Sequence, residues 1–336
     1  MWKNLLVLFC WAAFCLAACK GNRDKQEEVR EAILKQQPFA PLTDSLDRQK
    51  GKDRSGLYFR RAELLSQNDQ HELATEDYGK AWNLRPDPTT GVRYASSLTI
   101  TGQAGKAIRL LEDCRKRFPE DPAFAAMLAD LFAQSGRFSD AIRVYDDILS
   151  TDSLNPDALY ERGLLLEKNG DTASAIRSLK KAFGLQHLNT YGLELAHLYA
   201  EQGDESALPI CDDILRKDSA RDMLDPFFIK GIYYSNTAQY KKAIVQFDSC
   251  VGRDWKFPDA YLEKGIALFK QKQYGKALES FQMTVKVSET YADGYFWIGR
   301  CYEATGRDQQ ALAYYRQALA LDKTFSEAAE RIKRLQ

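Results

Sequence analysis

The chain has 336 residues, and its 47 Lys and Arg balance 47 Asp and Glu, so the formal net charge is zero; 45% of residues are hydrophobic and 28% charged. That balance leaves no strong field to attract nucleic acid or an anionic lipid surface, and the apolar share is that of a folded chain. After residue 19 no stretch approaches the roughly 18 apolar residues that a spanning helix needs.

The first nineteen residues read MWKNLLVLFCWAAFCLAAC. One charge, Lys3, precedes the apolar run from Leu5 to Leu16. As a helix that run is ~18 Å long at ~1.5 Å per residue, too short for a hydrocarbon core about 30 Å thick. A basic start, a short apolar run and small residues at the exit are the parts of a secretory signal. Leu16-Ala17-Ala18-Cys19 resembles the lipobox of bacterial lipoproteins. The resemblance implies a signal peptide over 1–18. It also implies a diacylglycerol thioether and further acylation on Cys19, and a mature chain fixed to a membrane by lipid alone. Two or more acyl chains anchor stably where one does not. Lys20 is not the aspartate of an inner-membrane retention signal, so the resemblance favours the outer membrane of a bacterial envelope, facing the periplasm.

Residues 19–54 then form a polar tether or half-repeat. Val29, Ile33 and Leu34 can line one face of a short helix, Pro38 and Pro41 interrupt it, and Thr43 can cap a second short helix through Leu46. Some 35 residues of fully flexible chain would span roughly 30–35 Å.

From about residue 55 the sequence repeats. Ala74, Ala107, Ala141, Ala175, Ala207, Ala243, Ala277 and Ala311 are separated by 33, 34, 34, 32, 36, 34 and 34 residues. Twelve residues upstream of most of them stands a second small residue: Ala62, Ala95, Ala129, Gly163, Gly231, Gly265 or Gly299; in the fifth unit Ala196 stands eleven upstream. Four residues downstream comes a larger one: Tyr78, Leu111, Tyr145, Leu179, Cys211, Phe247, Phe281 or Tyr315. Within one unit, Asp121 is suited to an N-cap and Pro122 to the first helical position. Leu128, Leu131 and Phe132 follow at helical spacing, and Gly136 suits a left-handed helix end. A second helix carries Ala141, Ile142, Tyr145, Ile148 and Leu149. The small residues permit two helix backbones to approach, and the large ones fill the space between.

A period near 34 built from two helices and a turn marks a repeat array, and the pattern resembles the tetratricopeptide repeat. Tyr295, Ile298, Gly299, Tyr302, Ala311, Tyr315 and Ala318 occupy the family's positions 4, 7, 8, 11, 20, 24 and 27; the first unit matches with Tyr58, Ala62, Leu65, Ala74, Tyr78, Ala81 and Pro86. Position 7, usually Leu, is Arg61, Arg162, Lys230 or Lys264 in four units, and only Pro86 and Pro119 keep the proline at position 32. The resemblance implies an all-α fold, a right-handed superhelical solenoid of about eight helix-turn-helix repeats. Residues 326–335 would be a C-terminal capping helix that shields the last repeat.

The fifth unit is irregular. Its turn is one residue short, Pro209 follows Ala207 by two, and 219–224 lengthen the link to the next unit. This suggests two stacks, 55–218 with repeats 1–5 and 225–335 with repeats 6–8 and the cap, joined by the link 219–224 as a hinge or change of curvature; the alternative is a local irregularity within one array. Cys114 and Cys250 fall at position 27 and Cys211 at position 24, where a thiol serves as a small hydrophobe; Cys301 stands beside Tyr302.

No constellation for catalysis emerges. His71, His187 and His197 belong to no HExxH or Cys/His cluster. TGQAGKA at 101–107 fails the phosphate-loop pattern, and Gly102 falls on a regular turn. Asp146-Asp147 and Asp212-Asp213 occupy equivalent places in two repeats and read as a solvated helix face. The chain reads as a non-enzyme without cofactor or metal.

A solenoid offers a long concave surface instead. In the tetratricopeptide family the first-helix positions 2, 5, 6, 9, 12 and 13 line it. The family's Lys and Asn clamp for a C-terminal carboxylate is missing at positions 5 and 9. The resemblance instead places Tyr160, Leu164, Phe228, Ile229, Ile232, Leu262, Ile266, Phe296, Trp297 and Arg300 on this face, with Glu161, Glu194 and Glu263 between them. Exposed aromatic patches mark protein-binding sites; the competing reading is that curvature buries some of these side chains between neighbouring first helices. The expected function is a lipid-anchored scaffold that holds a protein or peptide partner, or alternatively an accessory subunit of an envelope enzyme or of a secretion or outer-membrane assembly machine.

Overall fold

The computed structural model describes residues 27–51, 54–220 and 222–336. The expected signal peptide and Cys19 lie outside the described residues. Among the described residues every regular element is a helix. A helical stretch over 27–34 precedes α1 (Ala40–Arg48). Eight helix pairs follow: α2 (Arg54–Gln67) and α3 (His71–Leu84); α4 (Pro88–Ile100) and α5 (Ala104–Arg117); α6 (Pro122–Gln134) and α7 (Phe138–Thr151); α8 (Pro156–Lys168) and α9 (Thr172–Leu185); α10 (Asn189–Glu201) and α11 (Ala207–Lys217); α12 (Asp225–Asn236) and α13 (Tyr240–Arg253); α14 (Pro258–Lys270) and α15 (Tyr274–Val287); α16 (Ala292–Ala304) and α17 (Asp308–Leu321). A last helix, α18 (Ser326–Leu335), closes the chain.

The turns explain why each pair folds back. In all eight, one residue is left-handed: Gly102, Gly136, Gly170, Gly203 and Gly306 where the sequence supplies glycine, and Asp69, Ala238 and Lys272, at φ 58°, 57° and 60°, where it does not. Glycine adopts this conformation without penalty, whereas an L-residue there costs about 1–2 kcal/mol. Side-chain caps start four of the first or second helices: Asp87, Asp121, Asn155 and Asp171 accept from the backbone N–H of Thr90, Ala123, Ala158 and Ser174.

The chain forms two compact units, Met1–Tyr145 and Asp146–Gln336, with the division inside α7. In the first unit, Phe39, Ala62, Leu65, Ala74 and Tyr78 form a core, and Ile33 and Leu34 pack on it, as their spacing predicts. Val29 is exposed and does not join them. Thr43 lies inside α1 and does not cap it; its hydroxyl donates to Leu34 O at 2.8 Å. The charge at position 7 is buried here. Arg61 donates to both Asp77 oxygens, at 2.6 and 3.0 Å, and to Thr43 Oγ1 at 3.0 Å, so it ties α1 and α3 to α2.

In the second unit the position-7 cations play another part. Arg162, Lys230 and Lys264 reach Asp146, Asp212 and Asp248 on the second helix of the preceding repeat, at 2.6, 2.5 and 2.6 Å. The departures from Leu at position 7 are thus a ladder of ion pairs between successive repeats. The same ladder accounts for Asp146 and Asp212 of the two acidic pairs; Asp213 instead pairs with Arg216 and Lys217.

Position 8 shows why a small residue recurs. A Cβ on Gly299 would stand 2.7 Å from the Tyr315 ring, and one on Gly163 2.7 Å from Leu179 Cγ; at Gly231 and Gly265 it would collide with the rings of Phe247 and Phe281. Each position-24 side chain occupies the space that a larger neighbour would need. Pro209 is the third residue of α11, within the first turn, where its missing N–H has no intrahelical partner to lose. The link 219–224 lies within the second unit. Met223 N–H donates to Asp218 Oδ2 there, and Asn236 Nδ2 donates to Ala200 O, so α12 is bonded to α10 across it.

Cys114, Cys211, Cys250 and Cys301 are free and buried, and burial pushes each thiol up to about 12. They pack as small hydrophobes and are poor nucleophiles; Cys301, undecided in the sequence, shares a core with Phe296, Ile298 and Tyr315. At the C-terminus, Ala328 is fully buried, while Ile332 and Leu335 pack on that core, so α18 covers the last pair.

Candidate partner-binding face

The second unit brings its first helices into a series. Tyr160 of α8 stacks on Tyr191 of α10, with ring centroids 4.7 Å apart. Arg300 of α16 lies 5.5 Å from the Phe269 ring of α14 and pairs with Glu327 of α18 at 3.5 Å. Tyr191 and Tyr291 donate their hydroxyls to Asp157 and Asp259, each on the first helix of an earlier repeat.

Of the ten side chains that the sequence places on this face, seven are half-buried: Tyr160, Leu164, Phe228, Ile232, Ile266, Trp297 and Arg300. Ile229, Leu262 and Phe296 are not available. They are buried, at 4%, 8% and 2% exposure, and belong to the core. Phe296 shows the reason: Tyr315 and Phe325 approach it at 5.5 and 4.9 Å, so the repeat's own second helix and the segment leading to α18 enclose the ring. Phe228 and Trp297 keep an exposed edge and are braced from behind. Phe228 meets Phe247 and Phe257 at 5.7 and 5.1 Å; Trp297 stacks on Phe281 at 5.7 Å and meets Phe269 edge-on at 5.3 Å. Their removal therefore costs stability as well as surface. The Arg300 guanidinium sits 5.4 Å from the Trp297 ring, which offers it the negative face of a π-system.

Acidic groups are more numerous than the sequence pattern alone conveys. Glu263 stands near Asp259 and Asp293, and burial, followed by repulsion from those two carboxylates, pushes it up to about 7. Burial also raises Asp293. Among the described residues no Lys, Arg or His forms an ion pair with Asp259, Glu263 or Asp293. A second cluster joins α8 and α10. Oxygens of Glu167 and Glu201 and a ring nitrogen of His197 lie within 4.8 Å of one another. Burial and the nearby Glu194 raise Glu167. These three side chains can each offer one ligand atom to a divalent cation. The signal for both clusters was available: position 2 is Asp in Asp157, Asp225, Asp259 and Asp293, and positions 6, 12 and 13 supply Glu161, Glu167, Glu194, Glu201 and Glu263.

Comparisons with known proteins agree with this architecture. Models described as tetratricopeptide repeat match residues 101–153 and 126–184, and a further one matches 292–325. The chain thus carries tetratricopeptide repeats, and no enzymatic family is indicated. A comparison with curated protein sequences finds no match. Among solved structures, the Cut9-Hcn1 hetero-tetramer of the APC/C aligns at TM-score 0.52 and 17% identity over 87% of this chain, which spans 58% of that one. PilW, described as a widely conserved type IV pilus biogenesis factor, aligns at 0.54 and 18% over 62% of this chain and 96% of its own. A tetratricopeptide repeat protein from Parabacteroides merdae aligns at 0.51 and 14% over 84% and 98%. Identities this low speak to the fold alone.

Proposed function

We propose that this chain is a scaffold of the bacterial cell envelope, held to the outer membrane by lipid on Cys19, that binds a protein partner along the first-helix face of its second unit. The observation that carries the binding role is that face: half-buried Tyr160, Phe228, Ile266 and Trp297 share it with Asp259, Glu263 and Asp293, which form no ion pair with a Lys, Arg or His among the described residues. Braced aromatic edges are the side chains that anchor protein interfaces, and repeat arrays present such surfaces without needing a catalytic pocket. The lipid anchor rests on the match of Leu16-Ala17-Ala18-Cys19 to a lipobox. Tethering then raises the effective concentration of the partner at the membrane.

The anchor and the binding role are tested separately. Cells fed radiolabelled palmitate should incorporate label into the chain and retain it in the membrane fraction; Cys19→Ala should lose both. An unchanged membrane fraction in the variant refutes the anchor. For binding, crosslinking groups placed at Leu164 and Ile266 should trap the same protein in living cells, while groups placed on α9 and α15 should not. Trapping from both faces alike refutes the assignment of the face.

A further inference from the structure

We infer that the first-helix face of the second unit takes a basic, amphipathic segment of a protein partner, one in which Lys or Arg alternates with apolar side chains; the inference rests on the scaffold reading and specifies the occupant. Three observations converge on it. The first is the sign of the face. Asp259, Glu263 and Asp293 form one acidic group, without a cation among the described residues; Glu167, Glu194 and Glu201 form another, in which His197 stands 3.9 Å from Glu201; all lie on α8, α10, α14 and α16.

The second is where the unit's cations go. Arg162, Lys230 and Lys264 lie on these same first helices, yet each is held by an aspartate of a preceding second helix and so faces away from the carboxylates. Lys168 and Lys270 stand exposed at the helix ends. Arg300 is occupied by Glu327 and three aromatic rings. The cap neutralises Glu303 in the same way, through Arg331 at 3.2 Å and Arg334. The fold therefore contains the means to pair face carboxylates and applies them to Glu303, but not to Asp259, Glu263 or Asp293.

The third is the apolar component. Leu164, Ile232, Ile266 and Trp297 remain half-buried between the acidic groups, so apolar and anionic stations alternate across successive helices. A segment with cations and apolar groups in alternation satisfies both. Its ammonium or guanidinium groups would relieve the mutual repulsion that the free face carries, and charge-assisted hydrogen bonds to carboxylate are the stronger kind. Nucleic acid and anionic lipid are excluded by like charge.

The experiment is selection of random dodecapeptides displayed on phage against the immobilised full chain in detergent micelles, with 1 mM EDTA in the buffer. Enriched sequences should carry Lys or Arg together with Leu, Ile, Phe or Trp, and a synthetic peptide of the enriched sequence should bind about tenfold or more weakly to the chain carrying Asp259→Asn, Glu263→Gln and Asp293→Asn. Its affinity should also fall as salt rises from about 50 to 300 mM, because rim charges are screened. The three substitutions are near-isosteric and remove repulsion, so circular dichroism and melting should show an intact fold. Enrichment of acidic or uncharged peptides would overturn the basic occupant and leave the scaffold reading standing. An enriched basic peptide that binds the triple variant equally would overturn the assignment to this face. No enrichment of any class would overturn both readings.

Discussion

The two units are built from the same repeat and dispose of charge in opposite ways. In the first, Arg61 and Asp77 meet inside the fold, and Glu63, on the first-helix face, accepts from Tyr78 at 2.5 Å and pairs with Arg93 at 3.2 Å. The same face of α6 carries Ala123, Ala126 and Ala133, with a single exposed carboxylate, Asp130. In the second unit the cations are drawn into the ladder between repeats, and the carboxylates are left facing outward among aromatic edges. One repeat grammar thus yields an electrically settled surface and an unsettled one. The difference lies in a few positions: 2, 6, 12 and 13 on the face, and 7 behind it.

The strongest way to break this contrast is at Asp77. Among the described residues its carboxylate is the sole acidic partner of the buried Arg61 guanidinium, and removing one member of such a pair strands the other. Asp77→Ala should lower stability by about 3–5 kcal/mol, read as a lower urea midpoint. A loss as small as that of a surface pair would mean that the first unit's charge is not internal after all. In the second unit the comparable weak point is steric. Gly265→Ala places a methyl against the Phe281 ring and should cost about 1–3 kcal/mol in the same assay, with the face chemistry untouched. Smaller and opposite in sign is the turn. Lys272→Gly relieves a left-handed lysine and should gain about 1 kcal/mol, visible as a raised melting temperature; Gly306→Lys should do the reverse.

The subtlest test addresses the outward carboxylates directly. Glu263 has a folded value of about 7 against 4.5 for the ordinary side chain. Between those two pH values the folded chain holds a proton that the unfolded chain has released, so stability falls as pH rises through the window and levels off above it. Asp259 and Asp293 face Glu263 and reinforce the effect, and Tyr291 satisfies Asp259 without supplying charge. Glu263→Gln should therefore melt above the parent at pH 8 and together with it at pH 4. Equal melting at both would mean that the face carries no electrostatic strain.

Much of the fold was legible because the repeat is a local grammar. The position-8 and position-24 pairs, the cap at Asp121, the glycine turns and the burial of Cys114 and Cys211 all follow from spacing on one helix pair. What escaped depends on the neighbouring pair. Arg162, Lys230 and Lys264 looked like departures from a hydrophobic position until their partners on the preceding repeat were placed. Phe296 and Leu262 looked like surface groups because a single-helix register cannot show which helix covers them. The positions of Glu167 and Glu201 on the face were readable from the register; that His197 meets them was not, because its approach depends on how two successive first helices pack.

The ion-pair ladder also has a consequence for how the second unit comes apart. In a linear array, stability divides into the worth of each repeat and the worth of each joint. Arg162–Asp146, Lys230–Asp212 and Lys264–Asp248 all belong to joints. Partly exposed pairs of this kind contribute only about 0.2–1 kcal/mol apiece, but that energy is forfeited whenever either neighbour opens. The ladder therefore makes it harder for one repeat to fray while the next stays shut. Raising the salt concentration would loosen this link without touching any hydrophobic core, shifting the array from unfolding as a block toward peeling one pair of helices at a time.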